Sequence, residues 1–213
     1  MTARKVALLG AESTGKTQLS QDLAHHLLAQ GLRVIVVAEY LREWCVRENR
    51  TPRPEEQLPI AQEQERRVDA AAADADVVIA DTTSVMVAIY SAMLFEDGTL
   101  YQFALQRLRS YDAVLVTGLD IPWVADGLQR DGPHVREPVD ALVRGALERA
   151  AVPYQVIYGK GAARLDSALT ALGRTGLVRP GAGSGESGAW VWQCDKCSDP
   201  ECEHRLFSRL QGR

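Results

Sequence analysis

"KVALLGAESTGKT", residues 5–17, decides the fold. Residues 6–9 in its first half are an uninterrupted apolar run, the mark of a strand buried on both faces. Its second half, "GAESTGKT", sets Gly10, Gly15, Lys16 and Thr17 at the spacing of a Walker A phosphate loop. The glycines let the backbone curl until N–H groups point at phosphate oxygens. The helix that opens near Lys16 adds the positive end of its dipole. Gly10, Ala11, Glu12, Ser13, Thr14, Gly15, Lys16, Thr17 and Gln18 are therefore the expected nucleotide cradle. Lys16 reaches the β- and γ-phosphates of ATP there, and the Thr17 hydroxyl ligates Mg²⁺. A chance Gly-rich turn is the competing reading, and the full spacing between strand and helix argues against it.

Outward from the loop, strands and helices alternate. Strands are expected at 6–9, 34–38, 76–81, 113–118 and 154–159, and helices at 16–30, 41–49, 55–75, 99–111, 139–151 and 162–173. Residues 83–95, apolar on most sides, fit a buried helix, with a strand as the alternative. "TPRPEEQ" is a break, and 119–138 form a loop rich in Gly, Pro and charge. The pattern predicts an α/β domain with a parallel sheet of about five strands and helices on both faces. It ends near residue 172, where the Gly- and Ser-rich stretch 173–189 reads as a flexible linker.

Composition narrows the classes. The 213 residues, 46% hydrophobic and 24% charged, suit one soluble domain with a small appendage. A net charge of −4 argues against a general nucleic-acid binder. No run of residues approaches a membrane span, and "MTARKVALLGAES" lacks a signal-peptide layout. A cytoplasmic location without membrane partners is the expectation, and a homo-oligomer stays open.

In a doubly wound sheet, ligands bind beyond the carboxyl ends of the strands. After the second strand stand Glu39, Tyr40, Arg42 and Trp44; after the third, Asp81, Thr82 and Thr83; after the fourth, Asp120, Pro122, Trp123 and Asp126. Asp81 fits either a Mg²⁺ organiser or a proton acceptor, and also a plain helix N-cap. Glu39 and Arg42, three apart, fit a grip on a sugar hydroxyl or a surface ion pair. Trp123 fits a stacking platform for a flat or cationic ring, or a residue that packs its loop down. Arg130 and Arg136 are candidates for a lid arginine over the transferring phosphate, Arg130 being counted with Lys16 and Asp81 as catalytic. Taken alone, each arginine fits solvated surface. His25 and His26 read as structural or solvated, and Cys45 as a small buried residue. No Asn-Lys-x-Asp motif supports a switch GTPase.

"GAESTGKT", "AEYLREW", "VIADTT" and "DIPWVADGLQRDG", in this order, resemble the ribosylnicotinamide kinase domain. That domain is the kinase half of the bifunctional NMN adenylyltransferase/ribosylnicotinamide kinase proteins, and the wider group comprises AAA-labelled P-loop proteins. The resemblance runs from about residue 5 to residue 172, and Pro122-Trp123-Val124-x-Asp126-Gly127 is its most specific piece. It implies a P-loop kinase fold similar to thymidylate kinase. It also implies transfer of the ATP γ-phosphate to the 5′-hydroxyl of nicotinamide riboside, giving NMN. By motif match Lys16 and Thr17 handle ATP and Mg²⁺, and Asp81 is base or metal organiser. Glu39, Tyr40 and Arg42 lie near the riboside, and Trp123 to Asp126 in the lid. The family commonly has Arg directly after "DGL", where Gln129 stands here with Arg130 following. An adenylyltransferase domain or helix-turn-helix ahead of residue 5 is not expected.

The tail "CDKCSDPECEH" places Cys194, Cys197, Cys202 and His204 within eleven residues. Three thiolates and an imidazole complete a tetrahedral Zn²⁺ shell, so a structural zinc module over 190–213 is expected, against a redox pair or a disordered tail. The overall expectation is an ATP- and Mg²⁺-dependent kinase on a nucleoside-like acceptor. The competing class is a regulatory ATPase that contacts a partner through the zinc tail.

Overall fold

The computed structural model describes residues 2–96, 98–124 and 132–177. The chain opens with β1 (Arg4–Leu9), α1 (Lys16–Ala29), β2 (Val34–Val37), α2 (Tyr40–Glu48) and α3 (Pro54–Ala71). It continues with β3 (Val77–Asp81), α4 (Ser84–Phe95), α5 (Leu100–Leu108), β4 (Ala113–Thr117), α6 (Arg136–Ala150), β5 (Gln155–Ile157) and α7 (Gly161–Arg174). Among the described residues the strands form one parallel sheet in the order β2-β3-β1-β4-β5.

Ser84–Phe95 form a helix capped by Thr83, so the strand alternative for 83–95 falls. Val85, Val87 and Ile89 are buried, and tertiary packing outweighs their β propensity. Part of the expected loop 119–138 is also helical: a 3₁₀ turn covers Pro133–Val135 and α6 begins at Arg136. Pro138 sits in the first turn of α6, where its missing N–H costs no hydrogen bond. Helix α3 stops at Ala71, short of the expected end at 75, as the chain turns toward β3.

Strand parity splits the core in two. Val6, Leu8, Val77, Ile79, Ala113 and Leu115 pack with Leu19, Leu23 and Leu27 of α1 and Ala168 and Leu172 of α7. Ala7, Leu9, Val78, Ala80, Val114 and Val116 face the opposite way, against α3 to α6. Asp81 and Thr117 continue the first parity, so both side chains emerge on the α1 side at the carboxyl rim. There the connection after β1 leaves toward β2 and the connection after β4 toward β5. Such a divergence of connections opens a ligand crevice.

Candidate functional site

The phosphate loop is shaped by two glycines. Gly10 has φ 139°, and a Cβ there would run into the Thr117 hydroxyl. Gly15 has φ 75° at the N-cap of α1. Ser13 takes the left-handed region too, with φ 54°. Thr14 is fully buried; its hydroxyl donates to Ala11 O at 2.8 Å and pairs with Thr117 Oγ1 at 2.6 Å. Lys16 folds over the loop and donates to Gly10 O and Ala11 O at 2.9 and 2.8 Å. Burial holds the Lys16 ammonium below the ordinary lysine range, against the opposing pull of Glu39, Asp81 and Glu12; Arg42 pushes the same way as burial. Glu39 and Arg42 thus bear on the charge at the loop. Gln18, on the exposed side of α1, turns its side chain to Asp22.

Asp81 is 4% exposed and accepts the Thr17 hydroxyl on Oδ2 at 2.6 Å. Its Oδ1 is buried with no partner among the described residues. A hydroxyl and a carboxylate held together at the helix N-terminus, one oxygen unused, are donors of the type Mg²⁺ takes. The donor set fits the metal the sequence implied. Asp81 is not the cap of α4: Thr83 is, accepting Val85 N on its hydroxyl at 3.2 Å. The N-cap alternative for Asp81 therefore falls.

Glu39 and Arg42 form an ion pair at 3.1 Å across the first turn of α2. Tyr40 carries Arg67 over its ring at 4.3 Å, and its backbone N–H donates to Gln64 Oε1 at 2.8 Å. The loop after β4 docks on the phosphate loop, because Val124 N donates to Ser13 Oγ at 2.8 Å. Beside it Trp123 is partly buried, its indole N–H buried without a partner among the described residues. Asp126 and Arg130 lie outside the described residues, as do Cys194, Cys197, Cys202 and His204. Among the described residues no group of three or more His, Cys, Asp or Glu side chains is placed to hold a metal ion.

Arg136 is not solvated surface. It is 8% exposed and donates to Leu119 O and Ile121 O at 3.3 and 2.8 Å, which makes it an anchor of the loop after β4. Arg164 is a site residue that the sequence reading missed. It is 5% exposed, donates to Thr14 O inside the phosphate loop and to Gly159 O at 3.0 Å, and stands 3.7 Å from Asp120. A signal existed: Arg164 shares the helical stripe of Ala168, Ala171 and Leu172, so a cation sits on the buried face of α7.

The strand order, the loop and the Thr17–Asp81 pair together describe a P-loop nucleotide fold. Residues 5–164 match the AAA_28 family, an AAA domain. The chain belongs to this family. A search of curated proteins finds no match in sequence. Among solved structures, the NadR protein in complex with NR aligns at TM-score 0.65 and 19% identity, over 82% of this chain and 51% of that one. NadR with NAD and AMP-PNP aligns at TM-score 0.62 and 20% identity, over 84% of this chain and 51% of that one. The chain thus spans about half the length of these NadR chains. Thymidylate kinase from Ehrlichia chaffeensis aligns at TM-score 0.58 and 14% identity, over 82% of this chain and 99% of that one. These likenesses establish the P-loop kinase-like fold of the AAA_28 domain. Among the described residues, no helix is long and apolar enough to cross a membrane.

Proposed function

We propose that this protein is an ATP- and Mg²⁺-dependent small-molecule kinase whose acceptor is the 5′-hydroxyl of a nucleoside, nicotinamide riboside first among candidates. The observation that carries the proposal is the Asp81 carboxylate, bound by Thr17 on one oxygen and unpartnered among the described residues on the other, at the phosphate-loop mouth. The NadR complexes with NR and with AMP-PNP support the choice of acceptor and nucleotide. The acceptor oxygen attacks the γ-phosphorus, the bond to the β-phosphate oxygen breaks, and ADP leaves. The hydroxyl gives its proton to Asp81 if Asp81 is the base, or to the transferred phosphoryl oxygens if Asp81 organises the metal. Thr17 and Asp81 would hold Mg²⁺, which neutralises charge on the β- and γ-phosphate oxygens. Lys16 would turn from the carbonyls of Gly10 and Ala11 to the same oxygens. Glu39, Tyr40 and Arg42 would receive the ribose side of the acceptor. Trp123, Asp126 and Arg130 would cover it, with Trp123 stacked on the cationic nicotinamide ring. Cys194, Cys197, Cys202 and His204 would bind one structural Zn²⁺, and metal analysis of the purified full chain should find about one zinc per chain.

The test is mass spectrometry of the purified full chain with ATP, Mg²⁺ and a panel of nucleosides including nicotinamide riboside, beside Lys16→Ala. NMN from the wild type and none from the variant is the expected result. ATP cleavage with no phosphorylated product would remove the kinase reading in favour of a regulatory ATPase.

A further inference from the structure

Five described residues other than glycine have positive φ. Asn49, Glu96 and Ala151 are helix C-caps, where the left-handed conformation is routine. Ser13 belongs to the phosphate loop. The fifth is Thr82, directly after Asp81, with φ 89°. It is the one β-branched residue of the five, and a β-branched side chain is strained there. Glycine would adopt that φ freely.

The surroundings hold Thr82 in this state from several sides. Its N–H donates to Leu8 O at 3.1 Å, extending the pairing of β1 with β3. Its carbonyl accepts Gln64 Nε2 at 3.4 Å. Gln64 is 1% exposed and uses its other end to accept Tyr40 N, the first residue of α2. The next residue of α3, Glu65, accepts Ser84 N and the Ser84 hydroxyl at 3.0 and 2.6 Å. The Thr82 hydroxyl is itself buried without a partner among the described residues, so it does not repay the strain. The turn has a geometric task. Asp81 faces α1, whereas α4 packs on the opposite side of the sheet, and the chain must cross between them in two residues.

We propose that Thr82 is a positioning residue. Its strained turn, clamped by Gln64, aims the Asp81 carboxylate at Thr17 and the cation, and Gln64 ties that aim to the α2 end bearing Glu39 and Arg42. The inference rests on the reading of Asp81 as a working group of the site. Residues held off their preferred backbone by over-determined surroundings cluster where geometry must be kept against local preference.

The experiment compares the wild-type full chain, Thr82→Gly and Gln64→Met by AMP-PNP affinity with and without Mg²⁺, alongside melting temperature. Thr82→Gly should melt at or above the wild type while its Mg²⁺ enhancement of AMP-PNP binding falls at least about fivefold, as it should in Gln64→Met. Full enhancement in Thr82→Gly overturns the proposal, and so does full enhancement in Gln64→Met. No enhancement in the wild type also overturns it. Enhancement in the wild type with the expected losses, but no product from the nucleoside panel, removes the kinase reading and leaves the positioning role standing.

Discussion

Arg164 offers the sharpest test of how the phosphate loop is held. The substitution Arg164→Met keeps most of the buried aliphatic volume and removes the guanidinium. Two carbonyls lose their donor, Thr14 O and Gly159 O. Hydrogen bonds from a charged group contribute about 1.5–3 kcal/mol each, a gross loss of about 3–6 kcal/mol. Burying the charge offsets much of that, since an ion out of water costs several kcal/mol. Burial indeed holds the Arg164 guanidinium below its ordinary pKa, against the pull of Asp120. Gly159 is only partly buried, so water can replace its donor, whereas Thr14 is fully buried and its carbonyl stays unpaired. The net expectation is a loss of about 2 kcal/mol, or about 4–8 °C in melting temperature for a chain of this size. The functional effect should be larger than this stability loss suggests. Thr14 sits between Ser13 and Gly15, so freeing its carbonyl loosens the backbone that presents N–H groups to phosphate. AMP-PNP affinity should fall at least about tenfold. Calorimetric titration and thermal unfolding on the same samples check both numbers. Lowered melting with unchanged nucleotide affinity would refute the reasoning, because Arg164 would then support α7 alone.

Asp81→Asn keeps an acceptor for the Thr17 hydroxyl and removes the charge, so turnover should fall by about 10²–10⁴; a loss under tenfold in the product assay would sink the assignment. Gly10→Ala drives a methyl into Thr117 Oγ1 at a φ of 139°, and should destabilise by about 2–4 kcal/mol in urea unfolding. Gly31→Ala, also at positive φ but with open space around it, should cost about 1 kcal/mol; equal losses would refute the clash. Tyr111 donates to Glu65 at 3.1 Å, and burial, then the Glu65 charge, hold its phenol well above the ordinary tyrosine range. The unfolded chain therefore ionises first, so this contribution is intact below about pH 10 and is lost as pH climbs above it. Tyr111→Phe should cost about 1 kcal/mol at neutral pH and flatten the alkaline fall in urea midpoint.

What the sequence reveals follows the range of the interaction. The phosphate loop is contiguous, and the Glu39–Arg42 pair spans three residues, so both are legible from spacing alone. The sheet is legible because strands buried on both faces leave uninterrupted apolar runs. Arg164 binds Thr14 across 150 residues and Thr14 meets Thr117 across 103, and no local pattern announces either pairing. Asp81 ends β3, and local pattern alone leaves a cap of α4 open to it; the structure gives that cap to Thr83. Arg136 departs from the solvated surface expected of a charge in a polar loop, because the partly buried carbonyls of Leu119 and Ile121 at the loop's ends take their donor from it.

The charges around Lys16 bear on how a nucleotide would be received at this loop. Glu39, Asp81 and Glu12 act on the Lys16 ammonium, and Arg42 opposes them. A bare triphosphate brought to this loop would meet carboxylates about as numerous as the cations that welcome it. The helix N-terminus and loop amides offset part of that repulsion, but they are fixed partial charges. On the proposed reading, a divalent cation at Thr17 and Asp81 would reverse the sign where the phosphates would sit. Nucleotide affinity in this protein should therefore depend on Mg²⁺ more steeply than affinity in a Thr17→Val, Asp81→Asn double variant, in which the hydroxyl and the charge are both gone. Equal Mg²⁺ dependence in the two proteins would mean that the cation binds with the nucleotide alone and that the pair has another purpose.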